Sequence, residues 1–497
     1  MTTIFKIHPA IGITRVGDGD QFFVGPERQG HPGIEIAADG SESTLQNYKS
    51  GGRIKRQAAR FRVFQYEQED DGTLRLVGEV KSPLVSIEWN VTLVNSKAAG
   101  NSIVAVIDET RSVLLPNGSP RNPTITDRDS LIINGGTRSI SGNNQESIEF
   151  DNGSFLGDPV YLGEILTDGF GRLIVLGGRG VSRGIAMVPG GAIPPLNHFD
   201  NNSRWHDDVS DGPVTARVTI PGQPPVDAIP AWVVCAPPDF APAVGSPATM
   251  YDIVTQAAIT RGWITSPKMP SFRLHVLPIL QRSRSLQWVD DWTEWSAISD
   301  DWAALSRYDN QADRFLAFEQ ITKASLHEYK LPDYLFNILT AWRDGNFVDD
   351  YANQDIPITE PQLLDEAALN CCVGTSFYPG IEAGFLWTNP NLYMERGRFS
   401  HMQVKAGQLT GQMALPWQAD FNDCSDDWWP SQRPTNIFVT GGDVPNSPVR
   451  WADGVSTSST AANRRKMVEN FSKLGFVVPD GAGSLIEVER DANLPPH

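Results

Sequence analysis

The sequence predicts an α+β fold, with a β-rich, sandwich-like half first and a mainly helical half after it. Up to about residue 235, short apolar or alternating runs are separated by Gly, Pro, Asn and Asp, which is typical of strands joined by turns. After residue 249, apolar residues recur at helical spacing over longer stretches. We therefore predict a β-rich domain at 1–235, a proline-rich linker at 236–249 and a mainly α domain at 250–497.

Within these halves, individual runs predict individual elements. The sequence DDG at 70–72 predicts a hairpin turn between the first two strands, because Asp-Gly pairs adopt the tight turns of hairpins. The predicted strands are 61–66, 74–77, 85–94, 102–107, 172–177 and 215–220. The predicted helices are 250–263, 300–321, 330–345 and 361–372.

Composition limits the classes of partner. Lys and Arg total 41 against 59 Asp and Glu, a formal net charge of -18, so we expect neither nucleic acid nor an anionic membrane as a partner. The chain starts without a basic segment leading into an apolar run, and no stretch is apolar enough to span a bilayer. We therefore predict a cytoplasmic protein, with non-classical export left open. Four cysteines are too few for a disulfide framework, and the histidines lack ligand spacing, so we predict no metal.

The segment 407–434 combines groups that rarely occur together. Asp420 and Cys424 stand four residues apart, and Pro416 precedes them at a position where proline often opens a helix. Residues i and i+4 of a helix share one face, so the acid and the thiol are expected to lie on the same side. Taken alone, such a pair is more often a solvated acid and a small buried apolar side chain.

The sequence PWQADFNDC (416–424), followed by WWPSQRP (428–434), resembles a family of quinoprotein amino acid oxidases. This family is typified by lysine epsilon-oxidase and glycine oxidase, and its cofactor is cysteine tryptophylquinone. The segments 7–27, 204–218 and 371–382 also resemble family segments, in the same order. The resemblance implies that Cys424 forms the thioether and that Asp420 is its carboxylate neighbour. For the cross-linked tryptophan we choose Trp451, further along the chain, over Trp428 and Trp429.

The resemblance implies an oxidase that deaminates a primary amine, most simply a free amino acid. A quinone formed from Trp451 and Cys424 would take up the amine as a Schiff base, and Asp420 would remove a proton from the carbon bearing the nitrogen. Dioxygen would then reoxidise the cofactor, with release of ammonia and hydrogen peroxide. The resemblance also implies a flavin-dependent maturation enzyme as a partner, and it leaves a homo-oligomer open.

Substrate-binding residues are expected in two of the resembling segments. His206 stands where the family tends to carry an aromatic residue near the substrate, and a histidine there could hydrogen-bond a substrate carboxylate. The alternative for this segment is an acidic turn, in which Asp207, Asp208 and Asp211 cap backbone groups. In the second segment, Cys371, Cys372 and Tyr378 are candidates to line the site. Buried helix cysteines are the alternative for the first two.

Two other functions remain open at this stage. One is a non-catalytic β-sandwich binding protein, for instance for carbohydrate, whose tryptophans pack or stack on the ligand. The other keeps the quinone but acts on a peptide amine or the amine of a specialised metabolite.

Overall fold

A computed structural model of the chain describes residues 2–37, 39–108, 111–115, 118–327, 331–353, 358–374, 384–423, 430–438 and 448–494. The fold is α+β, with strands concentrated in the first half and helices in the second, as predicted. The strands of the first half are β1 (Thr2–His8), β2 (Ile11–Arg15), β3 (Phe22–Val24), β4 (Ile34–Ile36), β5 (Glu42–Thr44), β6 (Lys49–Ser50), β7 (Arg53–Ile54), β8 (Arg56–Gln68), β9 (Leu74–Val80), β10 (Ser86–Asn95), β11 (Val104–Asp108), β12 (Arg111–Leu115), β13 (Ile133–Ser141), β14 (Ile148–Glu149), β15 (Gly153–Phe155), β16 (Asp158–Val160), β17 (Glu164–Thr167), β18 (Leu173–Leu176), β19 (Arg183–Gly184), β20 (Trp205–His206), β21 (Asp211–Thr219), β22 (Val226–Asp227) and β23 (Ala231–Ala236).

The second half carries the helices and a few short strands. The helices are α1 (Met250–Thr260), α2 (Leu277–Ser285), α3 (Thr293–Ala297), α4 (Trp302–Leu305), α5 (Gln311–His327), α6 (Asp333–Arg343), α7 (Glu360–Asn370), α8 (Gly384–Trp387), α9 (Trp417–Asp423) and α10 (Ala461–Asn470). The strands are β24 (Tyr393–Glu395), β25 (Arg398–Phe399), β26 (Asn436–Phe438), β27 (Pro448–Arg450), β28 (Phe476–Pro479) and β29 (Leu485–Val488). In the part of the chain that the structure describes, no helix is both long enough and apolar enough to cross a membrane.

Most of the longer strands belong to one fifteen-stranded sheet. Its main path runs β13-β10-β21-β23-β2-β8-β18-β17-β14, and β8 also pairs with β1, β3 and β9. One apolar core contains residues from both ends of this path, so the sheet curls around that core as the layers of a sandwich would. Successive side chains of a strand face opposite sides of the sheet. In β10, every second side chain from Ile87 to Leu93 is buried and packs into this core. The predicted hairpin at 70–72 is present between β8 and β9.

One predicted helix is interrupted. The run 300–321 was expected to be continuous, but α4 ends at Leu305 and α5 begins at Gln311. The Asn310 side chain donates to the Ala304 carbonyl at 3.2 Å, an acceptor that a continuous helix would use for a backbone N–H. Ser, Asp and Asn side chains compete with helical hydrogen bonds in this way, and the intervening SRYDN is rich in them.

The largest apolar core joins the two halves of the chain. It contains Val209 and Cys235 from the first half, together with Trp417, Phe421 and Trp451 from the second. The segment 236–249, predicted as a linker, has no strand or helix after Ala236. It is nevertheless largely buried, and its Phe240 lies in this same core. The division into domains at 1–235 and 250–497 stays a prediction.

Candidate active site

The helix predicted after Pro416 is present as α9. It begins at Trp417 and ends at Asp423, and its residues from Trp417 to Asn422 are buried. Asp420 is 1% exposed, so its carboxylate is enclosed and not solvated. Cys424 comes directly after the last residue of α9 and lies, like Trp428 and Trp429, outside the described residues. Its cross-link to Trp451 therefore stays a prediction.

Trp451 is completely buried immediately after β27. Its indole Nε1 donates to the carbonyl of Gly475 at 2.9 Å, and its backbone N–H donates to the carbonyl of Thr435 at 3.2 Å. Arg490 donates to its backbone carbonyl at 2.9 Å. These bonds fix the plane and the direction of the indole ring before any modification of that ring.

Aromatic rings connect Trp451 to α9. The Phe240 ring lies 4.8 Å from the Trp451 ring, centroid to centroid, and the Phe421 ring lies 6.2 Å from it. Phe421 directly follows Asp420 on α9. The structure thus places the candidate base on a helix whose next residue contacts the candidate quinone precursor, and both of these rings belong to one apolar core.

The start of α9 is held by a buried ion pair from the β-rich half. The Nζ of Lys97 lies 2.7 Å from Oδ2 of Asp207, and neither side chain has any exposed surface. The same Oδ2 accepts the backbone N–H of Trp417 at 3.1 Å, and Lys97 also donates to the Ala414 carbonyl at 3.0 Å. The pair therefore fixes the position from which α9 presents Asp420.

Replacing Lys97 with methionine is expected to lower the free energy of unfolding by about 3 to 5 kcal/mol, because it leaves the Asp207 charge buried without its cation. Burial lowers the pKa of Lys97, and the nearby Asp207 opposes this shift. Urea unfolding followed by tryptophan fluorescence measures the change.

Lys323→Met is the control, because Lys323 is an exposed lysine that pairs with Glu294 at 2.5 Å. Exposed ion pairs contribute up to about 1 kcal/mol. An equal decrease in the free energy of unfolding in the two variants would contradict the role given to Lys97.

The neighbouring acid, Asp208, caps a loop. Its Oδ2 accepts the backbone N–H groups of Arg179 and Val181 at 2.6 and 3.0 Å. Burial raises the pKa of Asp208 to about 7, against these two hydrogen bonds, which lower it. Asp211 caps the backbone N–H of Thr410 at 2.7 Å in a similar way. The acidic segment thus does cap backbone, but in the interior and not in a solvated turn.

Asp208→Asn is expected to remove a pH dependence of stability. The pKa of Asp208 in the folded chain, about 7, lies above the ordinary value of an unfolded aspartate. Between these two pKa values, the folded chain keeps a proton that the unfolded chain loses. The free energy of unfolding is therefore highest at low pH, and it falls as the pH rises to about 7. The variant lacks this loss, so its free energy of unfolding relative to that of the wild type should increase by roughly 3 kcal/mol between pH 5 and pH 8.

Urea midpoints at the two pH values test this. Asp227→Asn is the control, because Asp227 is an exposed acid paired with Arg217 and no such gain is expected there. If the difference in stability between Asp208→Asn and the wild type is the same at both pH values, the raised pKa of Asp208 is contradicted.

The His206 side chain has its described contacts with residues of β15 and β16. Asp207, which follows β20 directly, contacts Lys97 and Trp417. The His206 ring packs 5.3 Å from the ring of Phe155, and its Nε2 lies 3.0 Å from Oδ2 of Asp158. Burial lowers its pKa, although Asp158 opposes this. The described contacts do not bring His206 to Trp451, and its role in substrate binding stays a prediction.

The two cysteines after α7 lie together beside Arg15. An Nη2–H of Arg15 donates to the Cys371 carbonyl at 2.9 Å and lies 3.6 Å from the sulfur of Cys372. Cys371 lines a cavity of about 30 Å³, and burial raises the pKa of its thiol. Arg15 also donates to the carbonyl of Pro237, three residues before Phe240. Tyr378 lies outside the described residues, and the substrate-lining roles of all three stay predictions.

Sequence reasoning missed three residues that build the site. Phe240 encloses Trp451 from a segment predicted only as a linker, and Lys97 is a single lysine in a predicted loop with no pattern around it. Arg433 was part of the WWPSQRP motif without a role of its own. Its position after a tryptophan-rich stretch is a signal that could have suggested contact with an aromatic ring.

Known proteins resemble this chain over most of its length. The model described as "L-Lysine epsilon oxidase N-terminal" matches residues 8–235, and the model described as "L-lysine epsilon oxidase C-terminal domain" matches residues 327–440. The L-lysine 6-oxidase of Marinomonas mediterranea is 27% identical, over 84% of this chain and 71% of that protein. This homology supports an amino acid oxidase as the class of enzyme.

Solved structures show the same fold. The L-Lys epsilon-oxidase of Marinomonas mediterranea, described as a Schiff base intermediate with L-Lys, superposes with a TM-score of 0.77 at 22% identity. The match covers 98% of this chain and 95% of that one. A second structure, of the epsilon-lysine oxidase from the same organism, gives the same TM-score, identity and coverage.

Proposed function

We propose that this chain, which belongs to the L-lysine epsilon-oxidase family, oxidatively deaminates a free amino acid with a protein-derived cysteine tryptophylquinone. In the balanced reaction, one primary amine, one dioxygen and one water give one carbonyl compound, one ammonia and one hydrogen peroxide. The quinone would form from Trp451 and Cys424. A flavin-dependent enzyme would assist its formation.

One observation carries the proposal. The fully buried Trp451 contacts α9, which bears the buried Asp420 and ends one residue before Cys424. Enclosing a carboxylate such as Asp420 costs free energy unless other groups compensate, so a buried acid on the helix that contacts Trp451 calls for a function.

The described residues fit such a cofactor. Hydrogen bonds at Nε1 and along the backbone hold the Trp451 ring, aromatic side chains shield it, and the guanidinium of Arg433 lies 5.2 Å from its centroid. The cofactor would supply an electrophilic carbonyl for the amine and a ring that accepts two electrons. Neither property is available from an unmodified side chain.

The chain's own residues would do the rest. Asp420 would take the proton from the carbon that bears the nitrogen, which is general base catalysis by a positioned carboxylate. The Lys97–Asp207 pair would keep α9, and with it that carboxylate, in place. Phe240 and Phe421 would keep water away from the reacting ring, which strengthens electrostatic interactions within the site.

A screen for peroxide release tests the proposal. The chain is produced with its maturation enzyme, and the twenty amino acids are supplied in turn while peroxide and ammonia are measured. We expect one or a few amino acids to give both products in equal amounts. The control is the same chain produced without maturation, which should give neither. Absence of both products from the matured chain with every amino acid would contradict the proposal.

A further inference from the structure

Gln418, the second residue of α9, is a completely buried amide. Its Nε2 donates to the carbonyl of Gly180 at 3.0 Å, and its Oε1 accepts the hydroxyl of Ser182 at 2.6 Å. Both of these partners belong to the loop 177–182, which connects β18 to β19. One loop of the β-rich half therefore holds both ends of this amide.

The loop 177–182 is itself fixed around Gly180. Asp208 accepts the backbone N–H groups of Arg179 and Val181, the two residues on either side of this glycine. Gly180 has a φ of 73°, and a Cβ at this position would lie 2.6 Å from the ring of Phe471, so only glycine allows the loop to approach so closely. The carbonyl that binds Gln418 therefore has a fixed direction.

Asn422 repeats this arrangement one turn further along α9. Its Oδ1 accepts the hydroxyl of Ser456, and its Nδ2 donates to the carbonyl of Ser458 at 3.2 Å. Residues four apart share one face of a helix, whereas residues two apart lie about 200° apart around its axis. Gln418 and Asn422 therefore lie on one face of α9, and Asp420 lies on the opposite face.

Two buried amides on a helix of seven residues call for an explanation. Apolar side chains of similar size could fill the same space without polar groups that need partners. A fully bonded polar network instead selects one arrangement of the elements that it joins. The bond from Trp417 to Asp207 fixes the start of α9, and the two amides fix the rotation of the helix about its own axis.

We propose that Gln418 is a positioning residue that orients the carboxylate of Asp420 for proton transfer. This inference rests on the proposed function. Gln418 acts through the rotation of α9, and the proton transfer itself belongs to Asp420. Such a role can have a large effect, because misplacing a reacting group by about 1 Å can lower a rate by about 100-fold.

Gln418→Met tests the inference, because methionine is close in size to glutamine and makes neither of its two hydrogen bonds. In the matured variant, we expect kcat per quinone to fall by about 10- to 100-fold. KM for the preferred amino acid should stay within about threefold of the wild type, because the change affects the transition state and not the binding of substrate. Peroxide release, divided by the visible absorbance of the quinone, measures both constants.

Gln57→Met is the matched control. Gln57 is also buried, and its Nε2 donates to the carbonyl of Ile13 at 3.3 Å, between two strands of the sheet. The same exchange at this position should leave kcat close to that of the wild type.

Ser182→Ala tests the contact from the other side, because it removes the donor to Oε1 of Gln418. We expect it to lower kcat by about 3- to 10-fold, as loss of one hydrogen bond would. The double variant with Gln418→Met should be no slower than Gln418→Met alone, because the two residues act through one contact.

Hydrogen exchange of the unmatured chain gives a measurement that needs no quinone. The backbone amides from Phe421 to Asp423 should exchange about 5- to 30-fold faster in Gln418→Met than in the wild type, since the bonds that hold α9 to the loop are lost. The amides of β10 report any general loss of stability in the same experiment. Gln57→Met should leave the exchange of α9 unchanged.

Four results would overturn the inference. They are an unchanged kcat in Gln418→Met, unchanged exchange of α9 in that variant, an equal fall of kcat in Gln57→Met, and a higher KM with unchanged kcat. If Gln418→Met does not fold or carries no quinone, Ser182→Ala decides, and a kcat equal to that of the wild type would overturn the inference. If the matured wild type releases no peroxide, the proposed function fails, and the exchange of α9 still decides whether Gln418 orients the helix.

Discussion

Replacing Asp420 with asparagine is expected to lower turnover by a factor of about 10² to 10⁴, the usual contribution of a positioned general base. The exchange keeps the size of the side chain and removes its ability to take the proton. Asp420 is buried on α9, and the next residue, Phe421, contacts the ring of Trp451. Steady-state peroxide release with the preferred amino acid measures the loss.

Asp423→Asn is the matched control on the same helix. Asp423 pairs with Arg464 at 2.6 Å at the edge of the core, and its exchange should cost stability while leaving turnover nearly unchanged. Visible absorbance separates two roles of Asp420. A slow variant that carries the quinone shows a catalytic role, and one without it shows a role in maturation. Turnover close to that of the wild type would remove Asp420 from the mechanism.

Trp451→Phe is expected to abolish the visible absorbance of the matured protein completely, because phenylalanine cannot form the quinone. Cys424→Ala should have the same effect, since the thioether cannot close. Trp451→Phe removes limited volume from a large core, so that variant should still fold. Absorbance spectra and circular dichroism of the matured variants measure the two properties.

Trp417→Phe is the closest control for Trp451→Phe. Trp417 is equally buried, belongs to the same core, and its ring lies 5.3 Å from that of Phe421. Its exchange should cost similar stability and leave the cofactor in place. Trp428→Phe and Trp429→Phe should also leave the cofactor in place. For the cysteine, Cys372→Ala is the control. Retention of the quinone in Cys424→Ala together with its loss in Cys372→Ala would reassign the thioether.

The motif around Pro416 predicted local structure well. A proline followed by an acid and a thiol at helical spacing indicated α9, and α9 is present with Asp420 buried. Local patterns decide such features, because helix start signals and spacing act over a few residues. The same reasoning failed at 300–321, where polar side chains interrupt a helix whose apolar periodicity continues on both sides.

Long-range contacts could not be predicted in this way. The Lys97–Asp207 pair joins residues 110 apart and then reaches the start of α9, and no local pattern marks Lys97 as a partner. Phe240 was placed in a linker because proline-rich composition indicates absence of regular structure. That composition does not indicate exposure, and Phe240 is fully buried against Trp451.

The mass of the intact protein tests the central claim most directly. Thioether formation removes two hydrogens, and conversion of the indole to the quinone adds two oxygens and removes two more hydrogens, a net gain of about 28 Da for the mature cofactor. We expect this gain in chain produced with its maturation enzyme, and in a single cross-linked peptide pair that contains Cys424 and Trp451. A matured chain with the mass encoded by its sequence would contradict the account.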